Sequence, residues 1–400
     1  MKICLVSDNL IGYHEKWSGA EVVVGYLTSL LEKNGQNFSR LTIKSKKEAP
    51  KNIFPLPSFS GKFWSFKRII PLHVFIRALF AFFLLKKIKP DVIHFFHSNS
   101  LFLPVMFSAW LLRIPATFTV LDYHIICPTG HLRLKDDKIC QAREGLLCKR
   151  CLSWPRLLER WLERQLIKRL KQLVTFTETS KKRLVSHGFS PEIIKVRYIY
   201  EFSFETPSAG EKIFKANDIL FVGTFPKQKG LHIVVQALAL VRLKIPDSRL
   251  IVIGRGEEQD KERIENLVKE LNLPDAVQFL GQKKNEEVLR IVSQANLLVI
   301  AEQWFSDFGP VALVEAMAQG CPVVSGNLGS PPDFIKDGHN GFLAEYDNPE
   351  SFAEKIILML QDKKRAKEMG QRARGTIKSF FGESHNKEVF ELYVAKNWLG

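Results

Sequence analysis

Two carboxylates, Asp307 and Glu315, lie eight positions apart in the stretch from Ala301 to Ile335. The first falls in an irregular loop. The second falls in a short helix expected from about Val311 to Gln319 and closed by Gly320. Helical periodicity cannot align them, because one precedes the helix and the other lies inside it. Gly309 and Pro310 turn the chain between them, which suits two different hydroxyl-bearing parts of one ligand. A buried carboxylate bonded to vicinal hydroxyls discriminates strongly, since an analogue without the hydroxyl leaves the charge unpaired. A buried strand, Pro322 to Ser325, and a Gly/Pro-rich turn ending at Asp333 follow.

Other groups could serve an anionic ligand. Val222-Gly223-Thr224 followed by Lys229-Gly230 reads as strand, loop and lysine before a helix. Backbone N–H groups at a helix start plus one ammonium suit a diphosphate. Trp17-Ser18-Gly19-Ala20-Glu21 opens another helix, either as a loop letting the Gly19 amide approach a phosphate or as a capping box from Ser18 to Glu21. Gly254-Arg255-Gly256 follows a strand but lacks the third glycine of a dinucleotide fingerprint. His124 sits in Leu121-Asp122-Tyr123-His124 near a strand end, where a histidine is either structural or a ligand contact.

Cys127, Cys140, Cys148 and Cys151 fall within 25 residues, and Cys148 and Cys151 have chelating spacing. Four thiolates form a common structural zinc site, although the first pair is wider than in a zinc ribbon. Reduced thiols or a bridge are the other readings, and in each case the role is structural.

The run Glu315-Ala316-Met317-Ala318 with Gly320-Cys321-Pro322-Val323-Val324 resembles the nucleotide-sugar site of retaining glycosyltransferases of family 4, which have the GT-B fold. Asp307 stands where that family has its first glutamate. The resemblance implies that Glu315 binds the donor ribose, while Asp307, Phe308, Gly309 and Pro310, leading into Val311, hold the donor hexose. It also implies donor contacts from Gly19, Gly223, Thr224, Lys229 and Gly254. The family pattern has arginine where Thr224 stands, so Lys229 carries more of the phosphate charge. Leu121 replaces a histidine that contacts the donor sugar, and His124, three residues on, is the candidate substitute. The named catalytic set is therefore Lys229, Asp307, Glu315 and His124. A subset of relatives shares the four-cysteine segment.

These residues need a scaffold. Residues 2–7 read as a first buried strand, and Glu21 to Asn34 as a helix ended by Gly35. Asp91 to Phe96, Ala116 to Leu121 and Val174 to Thr177 read as further strands, and Trp154 to Leu173 as a basic amphipathic helix. A second alternation begins at Ile219: helix near Leu231–Leu243, strand Arg249–Ile253, helix near Lys261–Leu271, and strands Val277–Leu280 and Leu297–Ile300. Strands alternating with helices imply parallel sheets covered on both faces. The expected fold is α/β, GT-B, with two doubly wound Rossmann-like domains facing a central cleft. Residues 1–205 form the acceptor domain and 206–380 the nucleotide-sugar domain, with the linker in Thr206 to Gly210. Residues 381–400, helical from about Glu383 to Leu399, cross back to the first domain.

Four hundred residues exceed what one core usually serves. Charge is lopsided: residues 1–200 carry a net +19 and the remainder −3 within an overall +16. That balance speaks to partners rather than fold. Aromatics mix with Lys and Arg from Phe63 to Leu85 and from Trp154 to Leu173, as in interfacial helices. Alternatively these helices pack inward with cations snorkelling at their edges. No secretory signal and no spanning segment is legible, so the expected location is cytoplasmic, peripheral on the inner face of the membrane.

The activity expected is retaining transfer of a hexose-type sugar from a nucleoside-diphosphate sugar to a lipid-linked or lipid-anchored saccharide, in cell-surface glycan biosynthesis. No cofactor is required for catalysis, and an anionic membrane surface is the expected partner. A degenerate, membrane- or polymer-binding scaffold is the alternative. A glycosidase would use two carboxylates but has no need of phosphate-oriented motifs. Nucleic acid is not an expected partner, because the basic residues share helices with bulky apolar groups and no recognition motif appears.

Overall fold

Short runs rich in β-branched residues, such as Ile3–Val6 at every position and Arg249–Ile253 at all but its first, are buried, as strands covered on both faces must be. In the structure, a computed structural model, they assemble into two compact units: Met1–Glu201 with Asn386–Gly400, and Phe202–His385. The description covers all residues except 12, 15–18, 59–71, 97–99, 128–129, 131, 133, 135–138, 141–150, 152–153, 201–203, 206–213, 306–308, 383 and 395–400. Side chains of 19–20, 72–73, 154–158 and 393–394 are also outside it. The expected linker, Thr206 to Gly210, therefore lies outside the described residues.

The first unit holds β1 (Ile3–Val6), β2 (Phe38–Ile43), β3 (Ile53–Leu56), β4 (Val92–Phe95), β5 (Ala116–Thr119), β6 (Gln172–Thr175) and β7 (Ile194–Val196). Among the described residues they form one parallel sheet in the order β3-β2-β1-β4-β5-β6-β7. The order reverses between β1 and β4. Its helices are α1 (Gly19–Lys33), α2 (Leu72–Ile88), α3 (Phe102–Leu111), α4 (Trp154–Ile167) and α5 (Glu178–Ser186).

The second unit repeats the plan. Its sheet runs β10 (Val277–Gly281), β9 (Arg249–Ile253), β8 (Asp218–Val222), β11 (Leu298–Ile300), β12 (Val323–Gly326) and β13 (Phe342–Ala344), again all parallel. The reversal falls between β8 and β11. Helices α6 (Leu231–Arg242), α7 (Glu258–Glu270), α8 (Asn285–Gln294), α9 (Val311–Ala318), α10 (Pro331–Phe334), α11 (Pro349–Gln361) and α12 (Lys363–Phe380) complete it. Its core joins Phe221, Val234, Leu238, Val252, Val299 and Phe352. At the foot of β8 the buried Asp218 carboxylate receives Arg249 Nε at 2.8 Å and Nη2 at 2.5 Å, a bidentate pair across neighbouring strands.

The last helix, α13 (His385–Val394), belongs to the first unit for all but its first residue. Asn386 Oδ1 accepts from Tyr26 Oη at 2.6 Å, and Glu388 pairs with Arg197 at 3.3 Å. The chain thus crosses back, as expected of this fold.

Three boundaries differ from the expectation. The helix begun at Trp154 stops at Ile167, and the next strand starts at Gln172 rather than Val174. Arg169 and Leu170 N–H groups bond three residues back, to Leu166 and Ile167, and Lys171 N–H bonds to Ala116 in the sheet. Leu170 and Leu173 extend the apolar periodicity only because both are core residues, one in the turn and one in the strand. Asp333 lies in the one-turn helix α10 rather than at the end of a turn. The apolar α3 has no counterpart in the sequence reading, since a helix buried along most of its length carries little periodic contrast.

Candidate functional site

In doubly wound sheets, ligands bind beyond the carboxyl ends of the strands, where the strand order reverses. In the second unit that point is flanked by the segments after β8 and β11, and there the chain closes tightly. Gln303 N–H donates to the Gln228 carbonyl at 2.8 Å. Gly230 has φ +71°, and a Cβ there would lie 1.7 Å from the Ala301 carbonyl oxygen. Only glycine permits that approach. One residue earlier, Lys229 donates its ammonium to Glu302, and it lies 5.2 Å from the Trp304 ring centroid. Trp304 Nε1 donates to the other Glu302 oxygen at 3.3 Å. Lys229 keeps 30% of its side chain exposed while Glu302 keeps 9%, so the cation is the solvent-facing partner.

Gly223 ends β8, and its N–H bonds to the Ile253 carbonyl at 2.9 Å. Gly254 follows β9 with φ +143°, and a Cβ there would stand 1.8 Å from the Gly223 carbonyl oxygen. The two glycines therefore pass backbone against backbone at adjacent strand ends, with Thr224 exposed beside them. This brings Gly223, Thr224, Lys229 and Gly254 onto the same edge of the sheet.

The expected helix also forms. Gly309 and Pro310 are buried, and Gly309 N–H donates to Ser330 Oγ at 3.1 Å. Helix α9 starts at Val311, with the Pro310 carbonyl accepting from Leu313 and Val314. Glu315 is half-buried midway along it, while Leu313, Val314, Ala316 and Met317 are buried. Asp307 and Phe308 lie outside the described residues.

In the first unit, Gly19 is the first residue of α1, after β1; Trp17 and Ser18 lie outside the described residues, and with them the capping-box reading. After β5 the chain makes a compact turn in which Ile126 and Cys127 N–H groups bond to the Tyr123 carbonyl. Leu121 is half-buried in this segment. His124 Nδ1 lies 2.8 Å from Asp122 Oδ1, which also accepts the His124 backbone N–H at 2.9 Å. The pair is attractive when the imidazole is protonated. Nearby Glu163 is buried, which raises its pKa; Arg160, 2.5 Å away, and His124 act in the opposite direction. His94 in β4 is a different kind of histidine. Its two nitrogens meet Thr117 and Thr119 hydroxyls at 2.7 and 2.6 Å, and burial pushes its pKa down to about 3, so it is neutral and structural.

Cys127 is buried, and Cys140 and Cys151 are half-buried. Among the described residues no group of three His, Cys, Asp or Glu side chains could hold a metal ion. Cys148 lies outside them, and with it the four-cysteine reading. Cys4 and Cys321 are buried, which pushes the first thiol's pKa far up and the second to about 12. Both stay protonated and inert.

Comparison with known proteins follows the same division. Residues 17–200 match the family model Glycosyltransferase Family 4, and residues 204–376 match Glycosyl transferases group 1. Each half of the chain thus matches a glycosyltransferase family model, and the fold is GT-B. Spore coat protein SA of Bacillus subtilis is 32% identical over 187 residues, covering 45% of this chain and 48% of that protein. D-inositol 3-phosphate glycosyltransferase of Corynebacterium kroppenstedtii is 29% identical over 249 residues, covering 58% and 54%. The chain thus spans about half the length of the curated relatives it matches. The structure of Anabaena HepE in complex with UDP-glucose shares the fold, with a TM-score of 0.70 over 98% of this chain and 99% of that one, at 17% identity.

Within this GT-B fold, sequence reasoning missed Glu302, Trp304 and Ser330. A signal for the first two existed: Ala301-Glu302-Gln303-Trp304 directly follows a β-strand that borders the reversal point. Ser330 carried none, because its bond to Gly309 spans 21 residues.

Proposed function

We propose that the chain is a retaining glycosyltransferase that moves a hexose-type sugar from a nucleoside-diphosphate sugar to a membrane-associated saccharide, in cell-surface glycan biosynthesis. The observation that carries this reading is the solvent-facing Lys229 ammonium beside the close-packed Gly223 and Gly254 backbones, at the reversal point of the second sheet. One cation and narrow backbone walls suit a diphosphate. The UDP-glucose complex of Anabaena HepE supports a nucleotide-sugar donor on this scaffold.

In the proposed reaction, the bond from the sugar anomeric carbon to the β-phosphate oxygen breaks, and its electron pair leaves with the diphosphate. The acceptor hydroxyl oxygen bonds to the same face of that carbon and passes its proton to a phosphate oxygen. Lys229, the Gly19 amide and helix N-termini stabilise the departing charge by preorganised electrostatics. Glu315 binds the ribose hydroxyls, Asp307 with the Phe308–Pro310 loop holds the hexose, and His124 contacts it in place of the family histidine that Leu121 replaces. The chemistry calls on no cofactor. Zinc on Cys127, Cys140, Cys148 and Cys151 is a structural proposal only, tested by metal content per chain in native mass spectrometry. Mass of the bare chain would remove it.

Peripheral attachment to an anionic membrane face is part of the same proposal. It fits the net +19 of residues 1–200 and the absence, among the described residues, of any helix long and apolar enough to cross a membrane. The deciding experiment is isothermal titration against UDP-, GDP- and ADP-sugars. Micromolar binding of one nucleotide class, lost in Glu315→Ala, supports the transferase. Binding of none by folded protein would favour a degenerate scaffold.

A further inference from the structure

The expectation that basic aromatic segments face lipid assigned equal weight to two helices, and the structure separates them. Among the described side chains of α4 the apolar stripe turns largely to the core: Leu166 is buried, Leu162 is half-buried and Trp161 is exposed. In α2 the opposite holds. Phe75, Leu79 and Phe83, four residues apart on one stripe, are 69%, 50% and 61% exposed, with Phe80 beside them at 50%. Exposing four large apolar side chains on one helix is unfavourable in water unless something covers them.

The stripe continues onto α3. Ser108 Oγ donates to the Ala78 carbonyl at 2.8 Å, so the middles of the two helices touch. Leu79 follows Ala78, and Phe107 precedes Ser108; both are exposed, flanking that contact. Trp110 and Leu111 are exposed one turn further along α3, and Phe107 packs on Trp110 with centroids 5.7 Å apart.

Charge along the two helices has one sign. From Ala49 to Leu121 the chain has a single carboxylate, Asp91, and Asp91 accepts the Lys2 backbone N–H at 2.6 Å. Neither α2 nor α3 contains an acidic residue. Lys86, Lys87, Lys89 and Arg113 are exposed at the helix ends, and Arg169 lies 5.0 Å over the Trp110 ring. Arg77, the basic residue in the middle of α2, is instead buried, donating to the Pro57 carbonyl at 3.1 Å. The arrangement is an apolar centre with cations confined to its rim. A bilayer with anionic headgroups needs this pattern: aromatic rings enter the acyl boundary while Lys and Arg remain at headgroup level.

We infer that the α2–α3 face is the surface by which the chain docks on an anionic lipid bilayer, inserting Phe75, Leu79, Phe83 and Trp110 while Lys86 and Lys87 meet lipid phosphates. The inference rests on the membrane-associated reading of the acceptor and gives it a location. It also assigns a division of labour, with donor binding in the second unit and lipid attachment in the first.

The test is co-sedimentation of the full chain with phosphatidylglycerol or phosphatidylcholine vesicles at low and high salt. Wild-type protein binds the anionic vesicles at least about tenfold better, and salt weakens that binding. The triple variant Phe75→Ser, Leu79→Ser, Phe83→Ser loses about tenfold or more in vesicle affinity. Leu243→Ser, a still more exposed leucine in the second unit, loses none. These side chains are exposed, so the triple variant keeps the wild-type melting temperature and nucleotide affinity. Unchanged vesicle binding by the triple variant overturns the inference, as does indifference of the wild type to both vesicles. A lipid-free dimer that the triple variant dissociates also overturns it, because a second copy would then cover the face. Nucleotide binding without vesicle binding sinks the docking surface alone. Vesicle binding through this face without nucleotide binding sinks the transferase reading alone.

Discussion

Lys229 and Glu302 are 73 residues apart in sequence and joined by an ion pair that bridges the segments following β8 and β11. The carboxylate is nearly buried and the ammonium partly open. The pair therefore has two separable roles: it satisfies a buried charge, and it aims a cation at the strand ends.

Substituting Lys229 tests both roles. Lys229→Ala should weaken nucleotide binding about 10- to 100-fold and destabilise the second unit by roughly 1–3 kcal/mol, since Glu302 is left without its cation. Adding Glu302→Gln removes the stranded charge. The double variant should regain most of the melting temperature and none of the affinity. Recovery of both by the double variant would leave Lys229 a structural role only.

Glu315 should behave differently. It is half-buried on α9 among buried apolar neighbours. Glu315→Ala should lower nucleotide-sugar affinity about 10- to 100-fold, the range for hydrogen bonds to a charged group. Thermal melting should move by no more than a few degrees. Titration calorimetry and melting on the same sample would read this, and a large loss of melting temperature with unchanged affinity would refute the assignment.

Gly230 holds the strand ends together by closeness. Gly230→Ala places a methyl group against the Ala301 carbonyl and should cost roughly 3 kcal/mol or more, or prevent folding. Gly35→Ala has a similar φ of +63° but open space, so only the left-handed strain remains, about 1–2 kcal/mol. Equal effects in urea unfolding would mean that the close contact plays no part.

His94 gives a pH dependence with a definite sign. Its folded pKa, about 3, lies below the ordinary 6.5, so the unfolded chain binds the extra proton between those values. Stability is therefore full above about pH 6.5 and falls as pH drops, by at most about 1.4 kcal/mol per unit from this group. His94→Gln keeps a hydrogen-bonding side chain between Thr117 and Thr119 and should flatten that part of the profile. A variant whose stability falls as steeply as wild type between pH 6 and 4 would contradict the assignment.

Much of the scaffold is local information. Gly35 and Gly320 both have positive φ where helices were expected to stop, because a left-handed residue is what ends a helix there. The strands Ile3–Val6 and Arg249–Ile253 read clearly because continuous apolar runs leave few alternatives in a covered sheet. Helix α4 was overextended, because the core does not distinguish a leucine on a helix from one on the next strand. Gly223, Lys229, Gly309 and Glu315 could be named from motif and spacing. Glu302 was passed over despite its place directly after a strand, since its importance comes from the residue it meets.

The sequence by itself determined the alternation of strand and helix, the lopsided charge and the residue types suited to a sugar nucleotide. Each of these is written in neighbours a few positions apart. The tertiary structure decided which cation faces solvent at the reversal point, and that Glu302 holds it. It also decided that Leu166 of α4 turns into the core while the apolar stripe of α2 stays exposed. Those outcomes depend on pairings across dozens of residues, where packing and burial choose between faces that local periodicity leaves equivalent.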